Sequence, residues 1–167
     1  MRKAKDSFDE YFPGGMQEGT LEPFLHSGEW AIHQALSWFL ERTGPADVMM
    51  MTFNVSEDGL RSIFFEDRIK SLRLLLDLNI RRHKLDLLLF ASSLTPDLRL
   101  ERTHSKLLLI ESEGHSFGIT GSANLNNPHR YESGFYFTNG PVFDFFKQRF
   151  LDIFDKALPY DATELHP

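Results

Sequence analysis

Three apolar runs of β character follow one another in the second half of the chain, and they leave little freedom for how it folds. They are Leu107 to Ile110, His115 to Thr120 and Ser133 to Phe137, with a turn at Glu113-Gly114 between the first two. Polar residues of a particular kind sit at their ends. His104 and Lys106 stand two apart at the head of the first run. A strand repeats with period two, so both side chains project from one face, side by side. Imidazole can act as base or nucleophile near neutral pH, and the lysine ammonium suits a phosphate as a point charge. Gly121-Ser122-Ala123-Asn124 ends the second run. Gly121 is expected to let the backbone approach a ligand closely, and Ser122 and Asn124 can both donate hydrogen bonds to an oxyanion. Glu132 heads the third run.

The order His104-Ser105-Lys106, four residues Leu107 to Ile110, Glu111, then Gly121-Ser122-Ala123-Asn124 resembles the signature of the phospholipase D superfamily, H-x-K-x4-D followed by G-S-x-N. Glu132 fits the acidic residue that the superfamily often adds at the next strand. Glu111 departs from the pattern, since the family usually has Asp there, chiefly as a structural partner. The resemblance implies a phospholipase D-like α/β sandwich, with a mixed central sheet flanked by helices and the site at one end of the central strands. It implies a phosphodiesterase that needs no metal and no cofactor. His104 would be the nucleophile and form a phosphohistidine, and Glu132 would accept a hydrogen bond from its far ring nitrogen. Lys106 and Asn124 would neutralise the non-bridging oxygens, and Ser122 would help to hold the phosphate. The family's site normally uses two motifs, whereas this chain has one and no internal repeat. The small single-motif bacterial endonucleases of the superfamily meet this need by dimerising. A twofold homodimer with both His104 residues in one composite site is therefore expected.

The rest of the chain agrees with an α/β alternation. Met1 to Asp9 is charged, and Tyr11 to Gly15 is a turn-rich link whose two aromatics are expected to dock on the body or on a second subunit. Thr20 to Leu25 reads as a short edge strand. Ser27 is the expected N-cap of a helix carrying Trp30, Ile32, Ala35, Leu36, Trp38, Phe39 and Leu40, stopped by Gly44-Pro45. Val48 to Phe53 is a continuous apolar run and reads as a buried central strand. Ser56 should cap a helix over 57–65, followed by a strand over 69–76 or a continuation of that helix, then a helix over 80–92 and a short strand over 98–101. Pro141 should open a last helix, 142–157, whose Phe143, Phe146, Phe150, Ile153 and Phe154 face the sheet. The expected organisation is an N-terminal segment, 1–26, partly extended or disordered, a phospholipase D-like domain, 27–158, and a tail, 159–167.

Composition narrows the function classes. The chain has 167 residues, which suits one domain, with 41% hydrophobic residues and 16 Phe to fill a core. It has no Cys, which excludes disulfides and thiolate metal sites. The sequence His129-x-x-Glu132 lacks the helical context of a zinc protease. His129 and Arg130 instead become candidate substrate contacts at the mouth of the site, while His115 is expected at a surface turn. Arg81-Arg82-His83-Lys84 is a basic cluster, either a solvated face or a phosphate contact. No apolar stretch is long enough to span a bilayer, and the charged start lacks the apolar core of a signal peptide, so the expected compartment is cytoplasmic. Nucleic acid is the expected substrate, against a net charge of −6, which disfavours approach to a polyanion. Two alternatives remain: a non-catalytic dimeric module that binds a phosphate-bearing ligand or a partner, and a phospholipid phosphodiesterase.

Overall fold

Met49, Met50 and Met51 lie at the centre of strand β2 (Ala46–Thr52), and no neighbouring pair shares a face. Val48 and Met50 belong to one apolar cluster, Met49 and Met51 to another on the opposite side of the sheet. A strand that is apolar on both faces must be covered on both, which places it inside the sheet. The computed structural model, which describes residues 8–127 and 129–165, has β2 between β3 (Ile69–Asp77) and β5 (Leu107–Ser112) in an eight-stranded sheet. Its order is β1-β7-β6-β5-β2-β3-β4-β8. Strands β2, β3 and β4 (Leu98–Glu101) run parallel. Strands β5, β6 (His115–Gly121), β7 (Glu132–Thr138) and β1 (Leu21–His26) continue antiparallel, and β8 (Leu158–Pro159) closes the far edge on β4. The sheet is mixed, as expected.

Helices cover both faces. On one side α1 (Phe8–Tyr11), α2 (Ile32–Thr43), α3 (Glu57–Phe64) and α5 (Leu85–Leu94) bury Phe8, Trp38, Phe39, Leu60 and Leu88 against the sheet, together with Trp30 just before α2. On the other side α6 (Pro141–Lys156), with Pro141 in its first turn, packs Phe143, Phe150 and Phe154 on Met49, Met51 and Phe137. Ile153, expected to face the sheet, is 39% exposed. The aromatic link docks on the body of the same chain: Phe12 is buried, with its ring 4.7 Å from that of Tyr136. Within the 1–26 segment, residues 1–7 lie outside the described residues, whereas Phe8 and the edge strand β1 are built into the body.

Local chemistry fixes the helix ends. Ser56 caps α3, its hydroxyl accepting from the Gly59 amide at 3.1 Å, with Glu57 and Asp58 in the favourable first turn. Gly44 ends α2 with φ of 75°, a conformation that glycine adopts without strain. Ser27 does not cap α2. Its hydroxyl and amide are taken by the Glu29 carboxylate, and the N-cap is Ala31, whose amide donates to the Gln34 side chain at 2.8 Å. The single helix expected over 80–92 is broken into α4 (Ile80–His83) and α5 at Lys84. Lys84 leaves helical geometry, and its ammonium donates to the Asn54 side chain and the Val55 carbonyl. The tail begins as β8, because Pro159 pairs with Arg99 on the β4 edge.

This topology brings one end of almost every strand to a single sheet edge. Thr52 is level with Leu76 in parallel pairing and Met51 with Leu107 in antiparallel pairing. The ends of β2, β3, β4, β6 and β1 and the starts of β5 and β7 therefore line up. Open α/β sheets place ligands at the carboxyl ends of their parallel strands.

Candidate active site

His104 and Lys106 precede β5 on that edge. The Lys106 ammonium lies 2.9 Å from His104 Nδ1 and 3.4 Å from Nε2, and it donates to the His104 carbonyl at 2.6 Å. His104 is exposed, with its ring 4.6 Å from that of Phe53. Lys106 is 9% exposed, and its Nζ sits 5.5 Å from the Phe53 ring centre. Burial lowers the Lys106 pKa, and the Glu132 carboxylate pulls the other way. The ammonium thus occupies a place where its charge is poorly solvated, which strengthens its pull on an anion.

Glu132 is 7% exposed. Its carboxylate accepts the hydroxyl proton of Ser122, which in turn accepts the Ser133 amide at 3.0 Å. In the single chain Ser122 therefore holds Glu132, and the expected bond from His104 to Glu132 is not made. Asn124 is locked through its carbonyl oxygen, which accepts from the Asn54 amide at 3.0 Å and lies 3.4 Å from the Thr52 hydroxyl. This orientation leaves the Asn124 amine to donate. The loop behind it is tied down where Leu125 N donates to Thr52 Oγ1 at 3.2 Å and Ser56 N to Leu125 O at 2.9 Å.

These groups line one open cleft of about 450 Å³, together with His129, Arg130, Tyr131, Asn126 and Asn127. His104, Lys106, Ser122, Asn124 and Glu132 are all brought together, and His129 and Arg130 stand exposed at the rim. His115 is exposed at the hairpin turn, at the opposite end of β6 from Gly121. Glu111 also lies away from the cleft: it forms an ion pair with Lys147 of α6 at 2.7 Å, a structural tie between sheet and helix. Gly121 packs against β7. A Cβ there would lie 2.2 Å from the Ser133 carbonyl and 2.8 Å from the Gly134 Cα. The glycine serves the close approach of β6 to β7, which carries Ser122 to Glu132. Among the described residues no group of three or more His, Asp or Glu side chains is placed to hold a metal ion.

Sequence reasoning missed Phe53 and Asn54, just past the end of β2, and the supporting role of Lys84, which reaches Asn54 from between α4 and α5. It also missed His26, paired in register with Glu132 across β1 and β7. His26 is buried and stacked on Trp30 with ring centres 4.2 Å apart, and its Nδ1 accepts from the Gly28 amide at 3.2 Å. Burial lowers its pKa, opposed by Glu29 and Glu132. An unfolded histidine takes up its proton near pH 6.5, and the folded one only at lower pH. Between those two values the unfolded chain holds more protons, so acidification removes stability, at most about 1.4 kcal/mol per pH unit. His26→Phe should therefore lose less stability than the wild type between pH 7 and pH 5 in urea titrations. Equal losses in the two proteins would contradict this reading of His26.

No family model matches the chain, and no curated protein matches it in sequence. Solved structures do match. A phospholipase D family member, Nuc from Salmonella typhimurium, superposes with a TM-score of 0.64 at 16% identity, over 87% of this chain and 100% of that one. NucT from Helicobacter pylori superposes with a TM-score of 0.58 at 14% identity, over 84% of this chain and all of that one. The likeness first visible in a few polar residues thus extends to the whole architecture, and the chain has the α/β fold of the phospholipase D family.

Proposed function

We propose that the chain is a metal-independent phosphodiesterase, a nuclease, acting through a phosphohistidine in a site shared by two copies. The observation that carries this reading is the convergence of His104, Lys106, Asn124 and Glu132 in one cleft, on a phospholipase D fold. With Lys106 donating to Nδ1, a neutral His104 ring keeps its proton on Nε2. An entering phosphate would draw the ammonium to itself and release the ring to attack. One ring nitrogen then bonds to phosphorus, and the bond to the leaving oxygen breaks as the partner's His104 gives that oxygen its proton. Water next yields a proton to the same partner ring, bonds to phosphorus and displaces the His104 nitrogen. Lys106 and the Asn124 amine face the charge that builds on the non-bridging oxygens, and the two-step path replaces one difficult displacement by two easier ones.

The dimer follows from the chemistry, which needs two imidazoles at one phosphorus. An apolar strip suits the contact: Leu21, Leu25 and Phe135, on one face of β1 and β7, are 51%, 66% and 49% exposed, and Tyr131 at the cleft mouth is 74% exposed. Among the described residues no helix is long and apolar enough to cross a membrane.

Hydrolysis of bis(p-nitrophenyl) phosphate in excess EDTA tests the reading. Turnover should persist without added metal. Turnover that EDTA abolishes and a divalent ion restores would overturn the mechanism, and phosphate binding without turnover would favour a non-catalytic binding module.

A further inference from the structure

We infer that Arg81, Arg82 and Arg102 form a second phosphate-binding cleft, which holds the nucleic-acid strand beside the phosphate at His104. Only the position of that reacting phosphate rests on the nuclease reading. The three side chains line a polar recess of about 690 Å³ with Asp77, Leu78 and Asn79. They come from two segments that the topology sets side by side. Arg81 and Arg82 lie on α4, just past the end of β3, and Arg102 follows β4, with Asp77 of β3 level with Glu101 of β4.

The recess is clamped in shape. The buried Asp77 carboxylate accepts from the Asn79 amide and from the Thr103 amide, each at 3.0 Å, and the Leu78 amide donates to the Glu101 carbonyl at 3.0 Å. Asp77 is thereby engaged by backbone amides of both walls. Arg42, Arg61 and Arg68 pair with Asp9, Glu57 and Glu66, whereas Arg73, Arg130 and Arg149 are exposed and form no ion pair among the described residues. Among the described residues, the guanidinium groups of Arg81, Arg82 and Arg102 bond to nothing. A protein with a net charge of −6 that leaves three neighbouring guanidinium groups unpaired holds them for an anion from outside.

The recess also adjoins the active site. Arg102 lines a second hollow with Thr103, His104 and Ser105, so the surface runs without a break from the arginines to the nucleophile. Two residues of extended chain span at most about 7 Å, which brings Arg102 within one residue pair of His104. A strand with one phosphate at His104 would run along this surface and bring further phosphates to the arginines. The exposed rings of Phe53 and Tyr131 at the cleft offer stacking surfaces for bases. That combination fits a polynucleotide strand. The sequence cluster Arg81 to Lys84 is thus divided by the fold: its first two members face this recess, and Lys84 supports Asn54.

Fluorescence anisotropy with a labelled single-stranded oligonucleotide tests the inference without requiring turnover. Three proteins are compared: wild type, R81Q/R82Q/R102Q, and the control R61Q/R73Q/R149Q, which removes the same charge from exposed positions elsewhere. Each is titrated between about 50 and 200 mM salt. The cleft variant should bind at least about tenfold more weakly at low salt, and its slope of log affinity against log salt should fall by roughly 2. The control should change by less than about twofold. Equal weakening of both variants, an unaltered cleft variant, or a wild type that does not bind would each overturn the inference. So would a cleft variant that loses phosphatidylserine vesicles while keeping the oligonucleotide. Failure of bis(p-nitrophenyl) phosphate hydrolysis contradicts the nuclease reading instead, and leaves this binding result standing.

Discussion

Replacing His104 by alanine is expected to lower phosphodiester turnover by about 10⁴-fold or more, because in the proposed mechanism it removes the atom that bonds to phosphorus. The ring is exposed and touches Phe53 and Lys106, so its loss empties no core cavity. The variant should keep its thermal midpoint within a few degrees while losing activity. In a shared site the same substitution removes the general acid as well, since each copy supplies one role to the other. A variant that keeps a tenth of the wild-type rate would mean that the nucleophile is another group.

Lys106→Met should lower the maximal rate by about 10²–10³-fold, the range for losing one preorganised donor to a developing charge. Methionine keeps the apolar stem and removes the cost of burying an ammonium, against which stands the loss of the cation beside the Glu132 carboxylate. Burial lowers the Lys106 pKa, so the charged form is the costly one in the folded chain. Activity and stability should therefore part company, with the rate falling and the denaturation midpoint holding or rising. A variant that loses both would assign Lys106 a structural role through its bond to the His104 carbonyl.

The elements that could be read from sequence are those that bury both faces or carry a local signal. Val48 to Met51 read as a central strand, Ser56 as the start of a helix, and Phe143, Phe150 and Phe154 as the sheet-facing side of α6, and each is found so. The candidate site residues His104, Lys106, Ser122, Asn124 and Glu132 were legible as a group because they sit at the ends of consecutive strands, and the fold brings them into one cleft. Other features depend on contacts between distant segments. Ser122 meets Glu132 only because Gly121 and Gly134 let β6 and β7 approach, and Gly121 alone did not reveal that. The break at Lys84 follows from its reach to Asn54, 30 residues away, and no helical propensity announces it. Asn54 fixes Asn124 from 70 residues away. Only the parallel pairing of β2 with β3 and its antiparallel pairing with β5 bring these segments together.

The proposed mechanism turns on two copies of His104 acting on one phosphorus. Wild-type and His104→Ala chains, mixed in equal amounts, unfolded and refolded so that subunits pair at random, test it directly. A mixed dimer would hold one imidazole, lacking either nucleophile or acid, and would be nearly inactive. About a quarter of the activity should then remain at fixed total protein, since only dimers of two intact chains work, as a closed twofold assembly requires. If about half remains, each chain works alone and the shared site is wrong.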